Sequence, residues 1–512
     1  MSDTKFLYGA AVQGIQGFIF QTNKLREIVG ASELVEEICT SKFEDLFKQV
    51  GVEYNPDKCI LHAAGNIKYI FNNEQECAKI VRVFPKAIFE FAPGVTVSQA
   101  VVKMDGKFEK FENAVNELEK RLRIQRNRPM RSATLGLMGI ERSRQTGLPV
   151  TFVKSETRFG KKEELHLDES SRAKLYADPS GERLKTTKKL CEKAFDISFK
   201  DNDDRIAYNI EDITKDNDWI AVIHADGNGL GQVVQKVGKD QDLFKQFSEK
   251  LDKATTLSAR EAFEAVKDKF NNSKIIPIRP IVLGGDDLTV ICRADLALDY
   301  VTEFIKQFEA KTDFVSKYEK LKFSNLTACA GITYIKSSYP FYYGYELAEA
   351  LCSQAKKDAK ADLKEGELAK SCLMFHKVQD SFTEDWSDIA KRELTPQENV
   401  SFEFGPYYIN EAKDDRWLVE DLKKKANKLD SKEGNAVKSH LRQWMSLLHD
   451  NPEMANQKLL RLKSMTTNKE LLNLIEKVTF EYKDKKEPYK SPVYDILAIH
   501  TINTQNTKEV EQ

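Results

Sequence analysis

No stretch of this sequence is apolar for long enough to cross a bilayer, which takes about 20 residues. Neither sign of charge is in excess: 79 Lys and Arg stand against 80 Asp and Glu, a formal net charge of −1. That balance excludes a protein that coats nucleic acid through its overall field, although local basic patches remain available. Cysteines are few and scattered. The eight (Cys39, Cys59, Cys77, Cys191, Cys292, Cys329, Cys352 and Cys372) include no CxxC pair. Reduced, buried thiols in a cytoplasmic protein fit this usage better than a disulfide scaffold or a zinc site. The first residues, MSDTKFLYGA, lack the basic-then-apolar pattern of a secretory signal. Among the histidines, His62, His166, His224, His376, His440 and His500 show no ligand spacing, so no histidine-based metal site is expected.

What is present is a long chain of alternating elements. At 512 residues it exceeds a single hydrophobic core, and three or four domains are expected. KFLYGAAVQ (5–13) reads as a buried strand, and a helix follows through FQTNKLREIVGASELVEEICTSKFEDLFKQV. Two short strands around Ala63-Ala64-Gly65-Asn66, a helix over 74–91, a strand over 94–103 and a charged helix complete a first unit. Much the same order recurs from DWIAVIHADGNGLG (218–231), through a hairpin at 284–287, to the helix GYELAEALCSQAKKDAKAD. The expected fold class is therefore α+β, a topology used twice, with a helical domain beyond it. The segments are 1–126, a polar inserted module or linker at 127–204, 205–382, and 383–512 with its Trp386, Trp417 and Trp444 as core anchors. The tail TINTQNTKEVEQ is expected to fray.

The chemistry concentrates at IVLGGDDLTVICRAD (281–295), where apolar runs flank Gly284-Gly285-Asp286-Asp287. The glycines permit a tight hairpin and close approach of a triphosphate. Magnesium takes one or two carboxylates and fills its remaining positions with water and phosphate oxygens. Because successive strand residues alternate faces, Asp286 and Asp287 need not do the same job. A solvated turn would use the same residue types. AVIHADGNGLGQ adds a second carboxylate, Asp226, at the end of an apolar strand, followed by Gly227, Asn228, Gly229 and Gly231. Such a loop opening a helix offers amide donors to phosphates, though an aspartate there also suits a plain N-cap. A strand-end Asp and a double-Asp hairpin on neighbouring strands form the carboxylate set of two-metal phosphoryl transfer. In LCSQAKKDAK, Lys356 and Lys360 lie four apart on one helical face and could reach a triphosphate; a solvated lysine face reads the same way.

These motifs resemble the large subunit of type III CRISPR effector complexes, the cyclic oligoadenylate synthetase, and are more distantly similar to GGDEF diguanylate cyclases. GGDD at 284–287, ADGNGLG at 225–231, TACAGITYIK and AEALCSQAKK match in order and spacing, and GIQGFIFQTNKLREIVGASELVEEI resembles the start of the family's first palm. The resemblance implies two ferredoxin-like palm domains and a C-terminal helical domain. It implies ATP as substrate, 3′–5′ linked cyclic products in antiviral defence, and Mg2+ or Mn2+, two ions, held by Asp226, Asp286, Asp287 and the Gly227 carbonyl. Lys356 falls at a phosphate-binding lysine of related cyclases. The first palm, with Ala63-Ala64-Gly65-Asn66 at its turn and Gln13 at the place of Asp226, would hold the acceptor nucleotide without metal. Asn228 stands where relatives often carry an aspartate. MGIERSRQTGLPV (138–150) stands where the family has a zinc module, but without cysteine, and no zinc is expected. No HD nuclease is expected ahead of the strand at residue 5, and His449-Asp450 lies in the helical region without companion ligands. Apolar Val234 and Leu243, where diguanylate cyclases read guanine, favour ATP over GTP.

A rival reading is a non-catalytic scaffold that binds RNA or protein, supported by the basic KRLRIQRNRPMR (120–131), which as a solvated helix end needs no ligand. Another is a cyclic dinucleotide synthase using other NTPs. Whether the chain acts alone, as a homodimer, or with RNA or CRISPR-type subunits stays open at this level. No membrane partner is expected.

Overall fold

The computed structural model describes residues 4–507 except 64, 129–138, 159–160, 215–217, 319–322, 365, 381–384, 414 and 484–487. Ala64 and the end of the basic stretch, 129–131, therefore lie outside the described residues, as does the tail beyond 507.

The first unit opens with β1 (Lys5–Gln13), followed by α1 (Ile15–Ile19), α2 (Leu25–Cys39) and α3 (Ser41–Gln49). One continuous helix is expected over 20–50 from the sequence, but two form there, α2 and α3, with the short α1 ahead of them. The break at Thr40 has a local cause: its hydroxyl donates to the Glu36 carbonyl (2.9 Å) and its backbone leaves helical angles. Then come β2 (Cys59–Ala63), β3 (Asn66–Phe71), α4 (Glu74–Phe91), β4 (Thr96–Met104) and α5 (Phe111–Arg126). The sheet order is β2-β3-β1-β4.

A connecting stretch holds the hairpin β5 (Phe152–Arg158) and β6 (Lys161–Leu167), α6 (Glu169–Leu175) and α7 (Lys189–Phe195). The second unit runs β7 (Trp219–Asn228), α8 (Leu230–Val237), α9 (Gln241–Lys267), β8 (Ile278–Gly284), β9 (Asp287–Arg293), α10 (Ala294–Lys311), β10 (Thr327–Lys336), α11 (Phe341–Lys360) and β11 (Cys372–Lys377). Its sheet contains β8-β9-β7-β10, the first sheet's order again, extended by β11 and by a short strand from the region that follows. The repeat expected from the sequence is thus present in the topology. α9 starts at Asp240, whose side chain accepts from the Asp242 and Leu243 amides, and buries Phe244, Phe247, Leu251, Ala259 and Phe263 at helical spacing.

Beyond this lie α12 (Trp386–Glu393), β12 (Val400–Ser401), β13 (Tyr407–Tyr408), α13 (Val419–Asn427), α14 (Lys432–Asp450), α15 (Pro452–Met465), α16 (Lys469–Val478), β14 (Tyr489–Lys490) and α17 (Val493–Thr507). The region is mostly helical around a fully buried Trp444, yet β13 joins the edge of the second sheet beside β11. α17 carries regular helix to Thr507, so the first part of the tail is not frayed. All eight cysteines are buried and free. Among the described residues no helix is long and apolar enough to cross a membrane.

The two units pack head to head. α2 lies on β8 and α9 lies on β2, a reciprocal exchange. The Ser32 hydroxyl donates to the Ile281 carbonyl, Lys245 Nζ donates to the Pro56 carbonyl (2.9 Å), and Phe20 stacks on Tyr345 at 4.1 Å between ring centroids. Apolar residues of both units merge into one core there, which fixes the units relative to each other.

Candidate functional site

The double-aspartate hairpin is closed by a two-residue turn. Gly284 pairs with Asp287, leaving Gly285 and Asp286 between them. Gly285 has a φ of +62°, which a side chain would strain. α9 holds this turn from behind, where the Thr255 hydroxyl donates to the Gly285 carbonyl. From α7, Lys193 Nζ donates to the Leu283 carbonyl (3.0 Å) and pairs with Asp252 (3.0 Å).

Asp226 arrives from β7. The strand continues two residues beyond it, because Asp226, Gly227 and Asn228 stay paired with Cys329, Ala328 and Thr327 of β10. One carboxylate oxygen each from Asp226, Asp286 and Asp287 lies within 4.8 Å of the others. Gly227 makes that approach possible: a Cβ on it would sit 2.8 Å from the Asp286 Cβ and 3.1 Å from its Oδ2. Burial pushes Asp287 up to about 6, with the Asp226 charge adding to it. Asp286 goes up to about 7, through burial first and then the Asp287 and Asp226 charges. Three crowded, desolvated carboxylates have the character of a divalent-cation site: they repel one another when ionised, and a hard cation with oxygen preference relieves that repulsion.

Lys356 is brought to the cluster by α11. Its ammonium donates to Asp226 Oδ2 and to the Gly227 carbonyl (3.2 Å). Burial works to lower its pKa, but the Asp226 hydrogen bond and charge outweigh that and the net shift is upward. α11 can lie this close because β10 carries Gly331, whose Cβ would meet the Ala348 carbonyl oxygen at 1.9 Å. Lys360, one turn on, is exposed and makes no contact with the cluster.

The glycine loop divides into different tasks. Asn228 is buried, its amide donating to Thr327 Oγ1 (3.2 Å) and Cys329 Sγ (3.2 Å), so it braces β7 against β10. Gly229 (φ +85°) is the N-cap of α8, and a Cβ there would sit 2.3 Å from Leu368 Cδ1. Gly231, in the first turn of α8, has open space around it, and Gly284 lies at the hairpin end beside Asp252.

A cavity of about 360 Å³ lies between the two units next to this cluster. Gln13, Gln16 and Arg126 line it from the first unit, and His224, Asp287 and Tyr345 from the second. Burial holds His224 down at about 4, so its imidazole is neutral near pH 7; its Nδ1 lies 3.3 Å from Thr289 Oγ1. The sequence signal for His224 is only its place two residues before Asp226. Tyr345 and Arg126 carry none, since they reach the cavity from separate helices.

Strand register corrects one correspondence. Ala63 pairs with Asn66 and Ala11 with Asn66, as Gly284 pairs with Asp287 and Ala225 with Leu288. This places Ala11, not Gln13, opposite the turn where Asp226 stands in the second unit. Left-handed Gly14 and Gly229, each three residues further on and each capping the next helix, confirm the offset. Gln13 matches Asn228.

Residues 219–364 match the family model for Cas10/Cmr2, second palm domain. No curated protein matches the sequence. Several crystal structures share the fold. With a Csm1–Csm4 cassette in complex with pppApApA the TM-score is 0.56 at 14% identity, over 98% of this chain and 69% of that one. The cassette in complex with one ATP gives 0.54 at 14% identity, over 98% and 70%. The Csm1–Csm4 subcomplex of the type III-A CRISPR-Csm interference complex gives 0.52 at 14% identity, again over 98% and 70%. The repeated sheet order, the acidic hairpin and the matched family segment converge: residues 219–364 carry a Cas10/Cmr2 second palm domain, in a chain whose fold is similar to that of the Csm1–Csm4 cassette structures.

Proposed function

We propose that this chain is a metal-dependent nucleotidyltransferase that joins ATP through 3′–5′ phosphodiester bonds into a cyclic oligoadenylate-type second messenger, in antiviral defence in the cytoplasm. The observation that carries the reading is the convergence of Asp226, Asp286, Asp287 and Lys356 beside a cavity shared by two palm units. Relatives of the same fold include complexes with pppApApA, one ATP and cA3, and one is part of a type III-A assembly; CRISPR-type subunits are the partners this suggests. The proposed division is a first palm over 1–126, a connecting module over 127–204, the second palm over 205–382 and a helical domain over 383–512.

Asp226, Asp286, Asp287 and the Gly227 carbonyl would hold Mg2+ or Mn2+. When bound, two such ions supply Lewis-acid stabilisation of the charge that develops at the α-phosphate and on the departing pyrophosphate. The protein's own groups do the rest. Asp286 and Asp287 give up the protons that burial lets them keep, becoming acceptor-only oxygens. Lys356 supplies a positive charge against the triphosphate, with Lys360 one turn further out for its distal end. Gly231 leaves the first turn of α8 open for phosphate oxygens, Gly229 supplies the left-handed cap ahead of it, and Gly284 and Gly285 keep the hairpin free of side chains. The first palm, with no carboxylate at Ala11 or at its turn, offers Gln13, Gln16 and Arg126 to the nucleotide whose 3′-hydroxyl attacks. Neutral His224 and Tyr345 form the opposite wall.

The test is incubation of the purified chain with each NTP and Mg2+ or Mn2+, with and without RNA, followed by mass spectrometry. ATP is expected to give linear and cyclic 3′–5′ oligoadenylates, and Asp286→Asn with Asp287→Asn to abolish them in a folded protein. Products that persist in the double variant, or ATP left unchanged under every condition, would overturn the reading in favour of a binding scaffold.

A further inference from the structure

We infer that the cleft between β11, α14 and α17 is a second anion site, built for a small phosphate-bearing ligand and remote from the carboxylate cluster. The cleft encloses about 520 Å³, within the range of small-molecule sites, roughly 300–1,000 Å³. Lys377 and Arg442 give it a cationic side with the His449 imidazole next to them, and Met445, Leu497 and Ala498 give it an apolar floor.

Neither Lys377 nor Arg442 has a counter-ion among the described residues. Lys377 is half-buried and makes no ion pair among the described residues; its ammonium lies 4.2 Å from the centre of the Trp219 ring. A second ammonium, Lys336, lies 4.4 Å from the same ring. Burial, with Lys336 and Arg442 adding to it, takes the Lys377 pKa down to about 8. The Arg442 side chain donates to Thr501 Oγ1 (2.8 Å) and meets no carboxylate among the described residues. The two acids on the cleft wall are committed elsewhere: Asp380 and Glu393 both pair with Arg392 (3.8 and 3.0 Å), and Glu393 also faces His376 (3.4 Å). Positive groups gathered and partly desolvated without neutralisation are unfavourable alone and favourable around an anion. An ammonium and a forked guanidinium beside an imidazole suit a tetrahedral oxyanion, while the apolar floor suits an organic moiety attached to it.

The site lies at the far end of the second sheet. Trp219 begins β7 and pairs with Lys336, whereas Asp226 stands seven residues on, roughly 23 Å at the usual rise of a strand. The inference therefore does not depend on the catalytic reading.

Binding of sodium pyrophosphate and of AMP would be measured by calorimetry in EDTA, on full-length protein carrying Asp286→Asn and Asp287→Asn to silence the other site. Saturable binding of at least one probe is expected, weakened roughly tenfold or more by Lys377→Met or Arg442→Ala and largely restored in Arg442→Lys. Lys377→Met keeps an unbranched stem against Trp219, and the urea midpoint confirms that the fold is intact. Slower trinitrophenylation of Lys377 in the presence of the probe would locate the ligand. The proposal is overturned if neither probe binds saturably at millimolar concentration, if the variants bind as the parent does, or if only an RNA oligonucleotide binds through Lys377.

Discussion

At the scale of single residues, the candidate site depends on side chains that are missing as much as on those present. Gly227 is the sharpest case, since a methyl group there would sit 2.8 Å from the Asp286 Cβ. Gly227→Ala is expected to push Asp286 away from Asp226 and reduce Mn2+ affinity by about tenfold or more, the cost of losing one charged ligand contact. Calorimetric Mn2+ titration checks this, with thermal unfolding of the metal-free protein as the control for folding. Unchanged affinity would show that the three carboxylates do not act together. These residues were legible in the sequence because their demands are local: a left-handed turn needs glycine at 285, and paired aspartates in an apolar setting need a partner. His224, Tyr345 and Arg126 are not legible as a group, because nothing local in a sequence tells which elements will meet around one cavity.

At the scale of elements, α11 does most to position the site. It rides on β10 at Gly331 and delivers Lys356 two turns beyond that contact. Gly331→Ala would put a Cβ 1.9 Å from the Ala348 carbonyl oxygen. Helix and strand must then separate, at a cost of about 1–3 kcal/mol, and Lys356 must lose its bond to Asp226. Urea unfolding is expected to report the loss of stability, and product formation is expected to fall with it. The order of strands and helices in both units followed from periodicity and glycine punctuation, since a buried strand and an amphipathic helix each announce themselves locally. Register did not. Ala11, rather than Gln13, faces the turn because pairing is set by long-range side-chain packing across β1, β3 and β4. The joining of β13 to the second sheet is equally long-range, and a two-residue strand is too short to leave a pattern.

At the scale of the whole molecule, one core binds the two palm units and the helical region closes over the second sheet. Tyr407 of β13 donates to Asp495 of α17 (2.6 Å), a buried link between them. Burial pushes the Asp495 carboxyl from 3.8 up to about 7, although the Tyr407 hydrogen bond works to lower it. The folded protein thus keeps this proton to a higher pH than the unfolded chain does. The associated stability is complete below about pH 4 and is lost as pH rises through about 7. Relative to Asp495→Asn, the wild-type protein should therefore lose stability across that window in urea titrations; parallel curves would contradict the link. The reciprocal packing sets Asp287 and His224 of the second unit against Gln13, Gln16, Glu36 and Arg126 of the first across a shared cavity. The central claim, that Asp226, Asp286 and Asp287 jointly hold divalent cations at that cavity, is tested most directly by anomalous diffraction from crystals grown with Mn2+ and a non-hydrolysable ATP analogue. Strong manganese peaks are expected among these three side chains, with the analogue's triphosphate next to them and near Lys356. Manganese elsewhere, or a nucleotide bound with no metal between Asp226 and the 284–287 hairpin, would contradict it.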